Sequence, residues 1–391
     1  MLPNRNLSIL LILVSLSVKA QRSELKVLFA GDIMGHDTQI ASALATGDAV
    51  YAGDAVYAGD SVYAGDPVYA GDPVYDYSPC FRHLKPYFTS ADLVIGNLEV
   101  TLAGPPYKGY PRFSSPDELA DALKDAGIDI LLTANNHALD RDRQGMERTL
   151  QQLERREILA TGTYADTLSR QHHYPLLVEK NGILLALLNY TYGTNGLKAA
   201  PPVVVNLIDT ALIRGDLEKA ARAKPDFIIV TMHWGREYER TEHATQIGLA
   251  RFLFDHGADV IVGSHPHVVQ PIRGNGKGDL VVYSLGNFIS NQRDRYRDGG
   301  IVFELQLAKD GERTEVASHG YLPVWVHKPR TPEGTLFTLL PAAVAVDTAI
   351  TAELGMLDTE KRIMSQFLMD TRLHLAGRTE IESFWMEFQE D

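Results

Sequence analysis

A layered α/β fold is the class this 391-residue sequence predicts. Three observations lead to it: short Val, Ile and Leu runs alternate with helical patterns, metal-ligand residue types close several of the runs, and the composition is ordinary for a globular protein. The runs are Lys26 to Ala30, Leu93 to Ile95, Ile128 to Leu132, Ile183 to Leu188, Phe227 to Thr231, Val260 to Val262 and Leu280 to Tyr283. Continuous apolar runs of this length suit strands buried on both faces. Between them, Ser115-Pro116-Asp117-Glu118 offers a cap, a proline at the first helical position and acids in the first turn, and Gly127 closes that helix. Gln144 to Arg155, Thr210 to Ala223 and Thr241 to His256 repeat the helical pattern, the last closed by Gly257.

Residues 1–20 read as a secretory signal, with Arg5, an apolar run from Leu7 to Val18, and Val18-Lys19-Ala20 before Gln21. The run is short for a bilayer span, so export is expected, to the periplasm, the cell surface or the medium. The formal charge is −13, and removing residues 1–20 would leave −15. An acidic surface of that size excludes nucleic acid as a partner. The single Cys80 has no intrachain partner and is expected to be a small buried hydrophobe. Residues 46–75 carry five copies of a hexad whose Gly-Asp pairs mark turns, while Pro67 and Pro73 disfavour a regular ladder. Five copies are too few to bury the core of a β-helix, so a surface insertion is expected. Residues 331–391 hold no ligand cluster and read as a helical tail for packing or oligomerisation; the oligomeric state is not legible.

Five segments carry the chemistry: Gly31-Asp32-Ile33-Met34-Gly35-His36, Gly96-Asn97-Leu98-Glu99, Asn135-Asn136-His137, Met232-His233-Trp234-Gly235 and Gly263-Ser264-His265-Pro266-His267. Each sits where an apolar run ends. Side chains at the carboxyl ends of strands converge on one crevice, so the pattern argues for a two-metal hydrolase. Asp32 lies beside a glycine that allows close approach to an ion. In Asn136-His137, an amide oxygen beside an imidazole supplies one metal ligand and one donor to an anionic substrate oxygen. In an extended His265-Pro266-His267, residues i and i+2 point the same way, and Pro266 stiffens the spacing. Mixed oxygen and nitrogen ligands suit Mn²⁺, Fe or Zn²⁺ better than Mg²⁺. Trp234 is expected in the core. Arg112 is a candidate for binding a substrate carboxylate or phosphate, and Asn287, after another strand, for lining the same crevice.

These residues resemble the calcineurin-like metallophosphoesterase pattern, and more closely the CapA-type poly-γ-glutamate capsule biosynthesis family, over residues 25–330. The resemblance extends to Tyr77-Ser78-Pro79, Tyr87 to Glu99, Tyr283 to Phe288 and Tyr321-Leu322-Pro323. It implies a sandwich of two mixed sheets flanked by helices and a metal-dependent site with two divalent ions. It further implies a role in making, releasing or attaching poly-γ-glutamate, an anionic envelope polymer, beside capsule synthesis machinery. By that resemblance, Asp32 and His267 serve one metal and Asn136, His233 and His265 the other. His137 then binds the substrate oxyanion or protonates the leaving group. The phosphoesterases' bridging aspartate is replaced by Asn97, which bridges poorly because it is neutral; either Glu99 takes over or the site holds one ion. Their Asp-x-His is stretched to Asp32-x-x-x-His36, which makes His36 a further candidate ligand. Two alternatives stand beside this reading: a secreted metallophosphoesterase, and a non-enzymatic capsule assembly or anchoring protein with a degraded site.

Overall fold

The computed structural model describes residues 22–44, 74–274, 279–331 and 334–381, with the backbone of 56–58 and 61–63. The expected signal segment, most of the hexad repeat and the last ten residues lie outside the described residues. Two mixed sheets are layered through a shared core. The first runs in the order Thr338–Pro341, Arg313–His327, Gly299–Asp310, Ser23–Ile33, Leu93–Leu98, Ile130–Leu132, Leu159–Thr161, and its last four strands are parallel. Asn287–Ile289 pairs in parallel with the end of Ser23–Ile33. The second sheet runs Ile272–Gly274, Leu280–Val282, Val260–Ser264, Phe227–His233, Ile183–Thr191, Leu176–Lys180, and its central four strands are parallel.

Period-2 alternation explains the layers. Along Ser23–Ile33, Leu25, Val27 and Phe29 join Leu185, Ile229 and Val262 of the second sheet in a core between the sheets. Leu28 and Ala30 face the other way, onto Phe81, Phe88, Leu119 and Leu123 of the flanking helices. The outer face of the second sheet is covered likewise, Leu188, Val230 and Ile261 packing with Ile213, Leu217 and Leu253. Full burial of one such side chain contributes about 1.5–3 kcal/mol, so both sheets are fixed from two sides. The expected sandwich of two mixed sheets flanked by helices is what the chain adopts.

All seven expected strands form. The helix expected from Pro116 starts at Glu118, with Asp117 at its cap. The Ser115 N–H donates to the Thr101 carbonyl at 2.9 Å, which ties this residue to the preceding loop rather than to the helix. The long hairpin Gly299–Asp310 with Arg313–His327 was not among the expected strands. Its buried Ile301, Phe303, Leu305 and Leu307 alternate with less buried Glu304 and Gln306, a pattern that a search for continuous apolar runs passes over. The tail is helical from Thr348, as expected, but it first adds Thr338–Pro341 as an edge strand. Leu340, Met364, Phe367 and Leu368 then bury Trp325, and Ile381 returns to hydrogen-bond the Tyr321 carbonyl at 2.9 Å. Cys80 is buried, as expected, and burial pushes its thiol up to about 12. The described hexads contribute an antiparallel pair, Val56–Ala58 with Ser61–Tyr63. Among the described residues, no helix is long and apolar enough to cross a membrane.

Candidate metal centre

Strand register builds the centre. Asp32 pairs with Asn97 on one side and Asn287 on the other, so three polar side chains stand abreast at the carboxyl edge of the first sheet. The close approach at Gly31 is to protein rather than to an ion: a Cβ there would come within 2.1 Å of the Gly286 carbonyl oxygen, to which the Asp32 amide donates at 3.0 Å. In the second sheet His233 pairs with Thr191 on one side and Ser264 on the other, so the segments beginning Tyr192 and His265 leave the two flanking strands at the level of His233. These two edges meet, and Asp32, Asn97, Glu99, Asn136, His137, His233, His265, His267 and Asn287 are all buried there.

The expected extended His265-Pro266-His267 does not form. His265 has φ of +100° and His267 of +57°, values that cost non-glycine residues about 1–3 kcal/mol each and gather at functional sites. The turn splits the pair instead of aligning it, with ring centroids 6.1 Å apart. As a result His265 joins Glu99 and His233, while His267 joins Asp32 and Glu99, the ligand atoms of each group lying within 4.8 Å of one another. Either group could hold a cation, and Glu99 belongs to both.

Hydrogen bonds order this cluster. The Asn97 amide donates to Asp32 Oδ1 at 2.8 Å and to Glu99 Oε2 at 3.4 Å. Asp32 Oδ2 lies 3.1 Å from His267 Nδ1, whose ring also meets Asn287 Oδ1 at 3.1 Å. His233 Nε2 sits 2.9 Å from Asn136 Oδ1. Within the two ligand groups, two buried atoms have no hydrogen-bond partner, Glu99 Oε1 and His265 Nδ1. The nearest imidazole nitrogens to Glu99 Oε1 are His233 Nε2 at 3.5 Å and His267 Nε2 at 3.8 Å.

Burial pushes the Asp32 carboxyl up, but His267 and Asn97 outweigh it and hold the group below its ordinary value. For Glu99, burial and then the Asp32 charge both push upward, well above the usual carboxylate range. Burial, reinforced by His265 and His267, holds His233 well below the ordinary histidine value. Burial and then His267 bring His265 down to about 3. Two neutral imidazoles and an unpartnered carboxylate oxygen in a buried site form a donor set suited to a cation, which would remove the like-charge conflict between Asp32 and Glu99.

His137 sits beside the cluster, its Nδ1 held 2.7 Å from Asp140 Oδ2. Sequence reasoning missed Asp140, although an acid three residues after a candidate histidine was the available signal. Arg112 bonds the Asp140 carbonyl through Nε and pairs with Asp142 at 3.0 Å, so it lies on the His137 side of the centre. His36 falls outside both ligand groups: its Nδ1 lies 2.9 Å from Gln39 Oε1 at the start of helix Asp37–Ala43, and its ring packs edge-on to Phe113, which in turn packs on His137. Trp234 is a core residue as expected, buried and donating to the Tyr283 carbonyl at 2.9 Å. Tyr192 was also missed. Nearly half exposed, its ring lies 4.5 Å from that of His265, and only its position at a strand end could have marked it.

Comparison with known proteins places the chain in a family. The model of the bacterial capsule synthesis protein family PGA_cap matches residues 26–292. The chain belongs to that family. It is 31% identical over 280 residues to the PGA biosynthesis protein CapA of Bacillus subtilis (strain 168), covering 66% of this chain and 69% of that protein. Against the capsule biosynthesis protein CapA of Bacillus anthracis it is 31% identical over 234 residues, covering 57% of this chain and 56% of that protein. Among solved structures, this PGA_cap-family chain resembles Haemophilus influenzae NAD nucleotidase (NadN), with a TM-score of 0.47, 13% identity, and coverage of 92% of this chain and 64% of that one. It also resembles the calcineurin-like phosphoesterase YfkN of Bacillus subtilis, with a TM-score of 0.45, 14% identity, and coverage of 90% and 98%.

Proposed function

We propose that this PGA_cap-family protein is an exported, metal-dependent hydrolase or transferase acting on poly-γ-glutamate or a related anionic envelope polymer. The observation that carries the reading is Glu99. Its unpartnered Oε1 is buried between a His233/His265 group and an Asp32/His267 group, as a bridging ligand requires. His233 and His265, with Asn136 beside His233, would hold one ion, Asp32 and His267 the other, and Glu99 both. Asn97 supports the ligands by donating to Asp32 and Glu99. Divalent Mn, Fe or Zn bound there would polarise the attacked carbonyl or phosphoryl and lower the pKa of bound water towards about 7.

The chain's own residues supply the remaining parts. Asp140 fixes His137 with Nδ1 toward its carboxylate, which leaves Nε2 to hold or deliver a proton at the leaving group. Arg112, tied to the same Asp140, places a cation on that side for the polymer's carboxylates.

Purified protein incubated with poly-γ-glutamate, and separately with an aryl phosphodiester, tests the proposal. Metal-dependent change in polymer length that His137→Ala abolishes is the expected result. Turnover of the phosphodiester without any action on the polymer would favour the secreted phosphoesterase. A chain that binds no metal and acts on neither substrate would leave the anchoring role.

A further inference from the structure

The centre's other side carries a second arginine. Tyr238 follows the His233 segment with φ of +68°, its amide donating to the Pro266 carbonyl at 2.8 Å. That contact sets its ring 6.1 Å from the ring of His267. The Arg297 guanidinium lies over the Tyr238 ring, 3.8 Å from its centroid. The Arg297 backbone is fixed to the centre as well, because its carbonyl accepts from Asn287 Nδ2 at 2.8 Å and Asn287 in turn meets His267. Both ends of Arg297 are therefore referenced to His267. Its charge partner is Asp294 at 3.1 Å, a residue whose side chain is 74% exposed. An ion pair of that kind is weak and yields readily to a better-placed anion.

Three features together make this a site rather than a surface ion pair. Tyr238 is 42% exposed, an unusual setting for an aromatic ring packed against a buried histidine. Stacking on it pre-orients the planar guanidinium, so little rotamer freedom is lost on binding a carboxylate. Tyr192 flanks the centre beyond His265 and His233, with its ring 10° from parallel to that of His233. The approach to the centre is thus walled by two half-exposed tyrosines, and one of them bears a cation. In a chain of formal charge −13, a polyanion needs such a local cation to enter.

We infer that Arg297, held on Tyr238, is a specificity-determining residue that binds a carboxylate carried by the repeat unit next to the attacked linkage. This rests on the polymer reading above. Arg297 reads charge and acts on no bond, which sets it apart from His137. A γ-linked glutamate chain presents one free carboxylate beside every backbone amide, the pattern that the Tyr238 and Arg297 pair would accept.

Binding of a γ-linked glutamate oligomer to the metal-loaded full chain, measured by calorimetry beside the same oligomer with its carboxylates amidated, tests the inference. R297Q should weaken binding of the charged oligomer by about tenfold or more and leave the amidated oligomer unchanged. R297K should recover part of the loss, and metal content should match wild type in both variants. Equal weakening for both oligomers, or loss of metal, would mean that Arg297 only supports the Asn287 loop, and would overturn the inference. Unchanged binding of the charged oligomer by R297Q would overturn it while the polymer reading stands. A wild-type chain that binds metal but not the charged oligomer would remove both.

Discussion

Replacing Glu99 by glutamine should reverse sign with metal. Glu99 is fully buried, its Oε1 has no hydrogen-bond partner, and burial together with Asp32 disfavours its charged form. Without metal, an unsatisfied buried acceptor costs about 1–3 kcal/mol, and a buried unpaired charge costs more. Glutamine keeps the shape, removes the conflict with Asp32 and still offers an oxygen toward His233 and His267. The chelated variant should therefore be as stable as wild type or more stable by about 1–2 kcal/mol, a rise of a few degrees in Tm. With metal the order should invert. At a free ion concentration of about 100 times Kd, each bound ion stabilises the folded state by about 2.7 kcal/mol, and a variant lacking the shared ligand forfeits most of that for both ions. Thermal unfolding in excess chelator and in excess Mn²⁺ or Zn²⁺ reads the two effects. A variant that is less stable than wild type in chelator, yet gains as much from metal, would refute the assignment of Glu99 as the shared ligand.

Three further outcomes follow from the same geometry. Asp140→Asn should leave metal content and Tm near wild type while lowering turnover of whichever substrate is cleaved by roughly 100-fold or more, because His137 loses the partner that fixes it; kinetics beside elemental analysis checks this. Phe288→Ala should cost about 3–5 kcal/mol, since that fully buried ring stacks between Phe81 at 6.0 Å and Phe88 at 5.7 Å; denaturant titration measures it. Burial, with help from Arg82, holds His83 down to about 4. Its contribution to stability is therefore complete above about pH 6.5 and is lost as pH falls toward 4, because the unfolded chain takes up the proton first. His83→Asn should flatten the fall in Tm between pH 7 and 5, measured in chelator so that metal release does not intrude.

Much of the centre was legible because of how parallel sheets work. Runs such as Phe227 to Thr231 and Val260 to Val262 are buried on both faces, so the first histidines after them, His233 and His265, had to stand at a sheet edge. Asp32, Asn97 and Glu99 were legible for the same reason. The turn that separates His265 from His267 was not, because two non-glycine residues at positive φ leave no mark in composition or spacing. Gly31 was placed correctly but for the wrong neighbour, since its lack of a Cβ makes room for the Gly286 carbonyl. Tyr238 and Arg297 lie far apart in sequence, and only tertiary packing stacks one on the other.

Metal stoichiometry with position tests the account most directly. Elemental analysis of the full chain loaded with Mn²⁺ or Zn²⁺, followed by anomalous diffraction, should find two ions per chain, about 3.5–4 Å apart, with Glu99 between them. A chain that takes up no metal after loading, or ions bound away from Glu99, would contradict it.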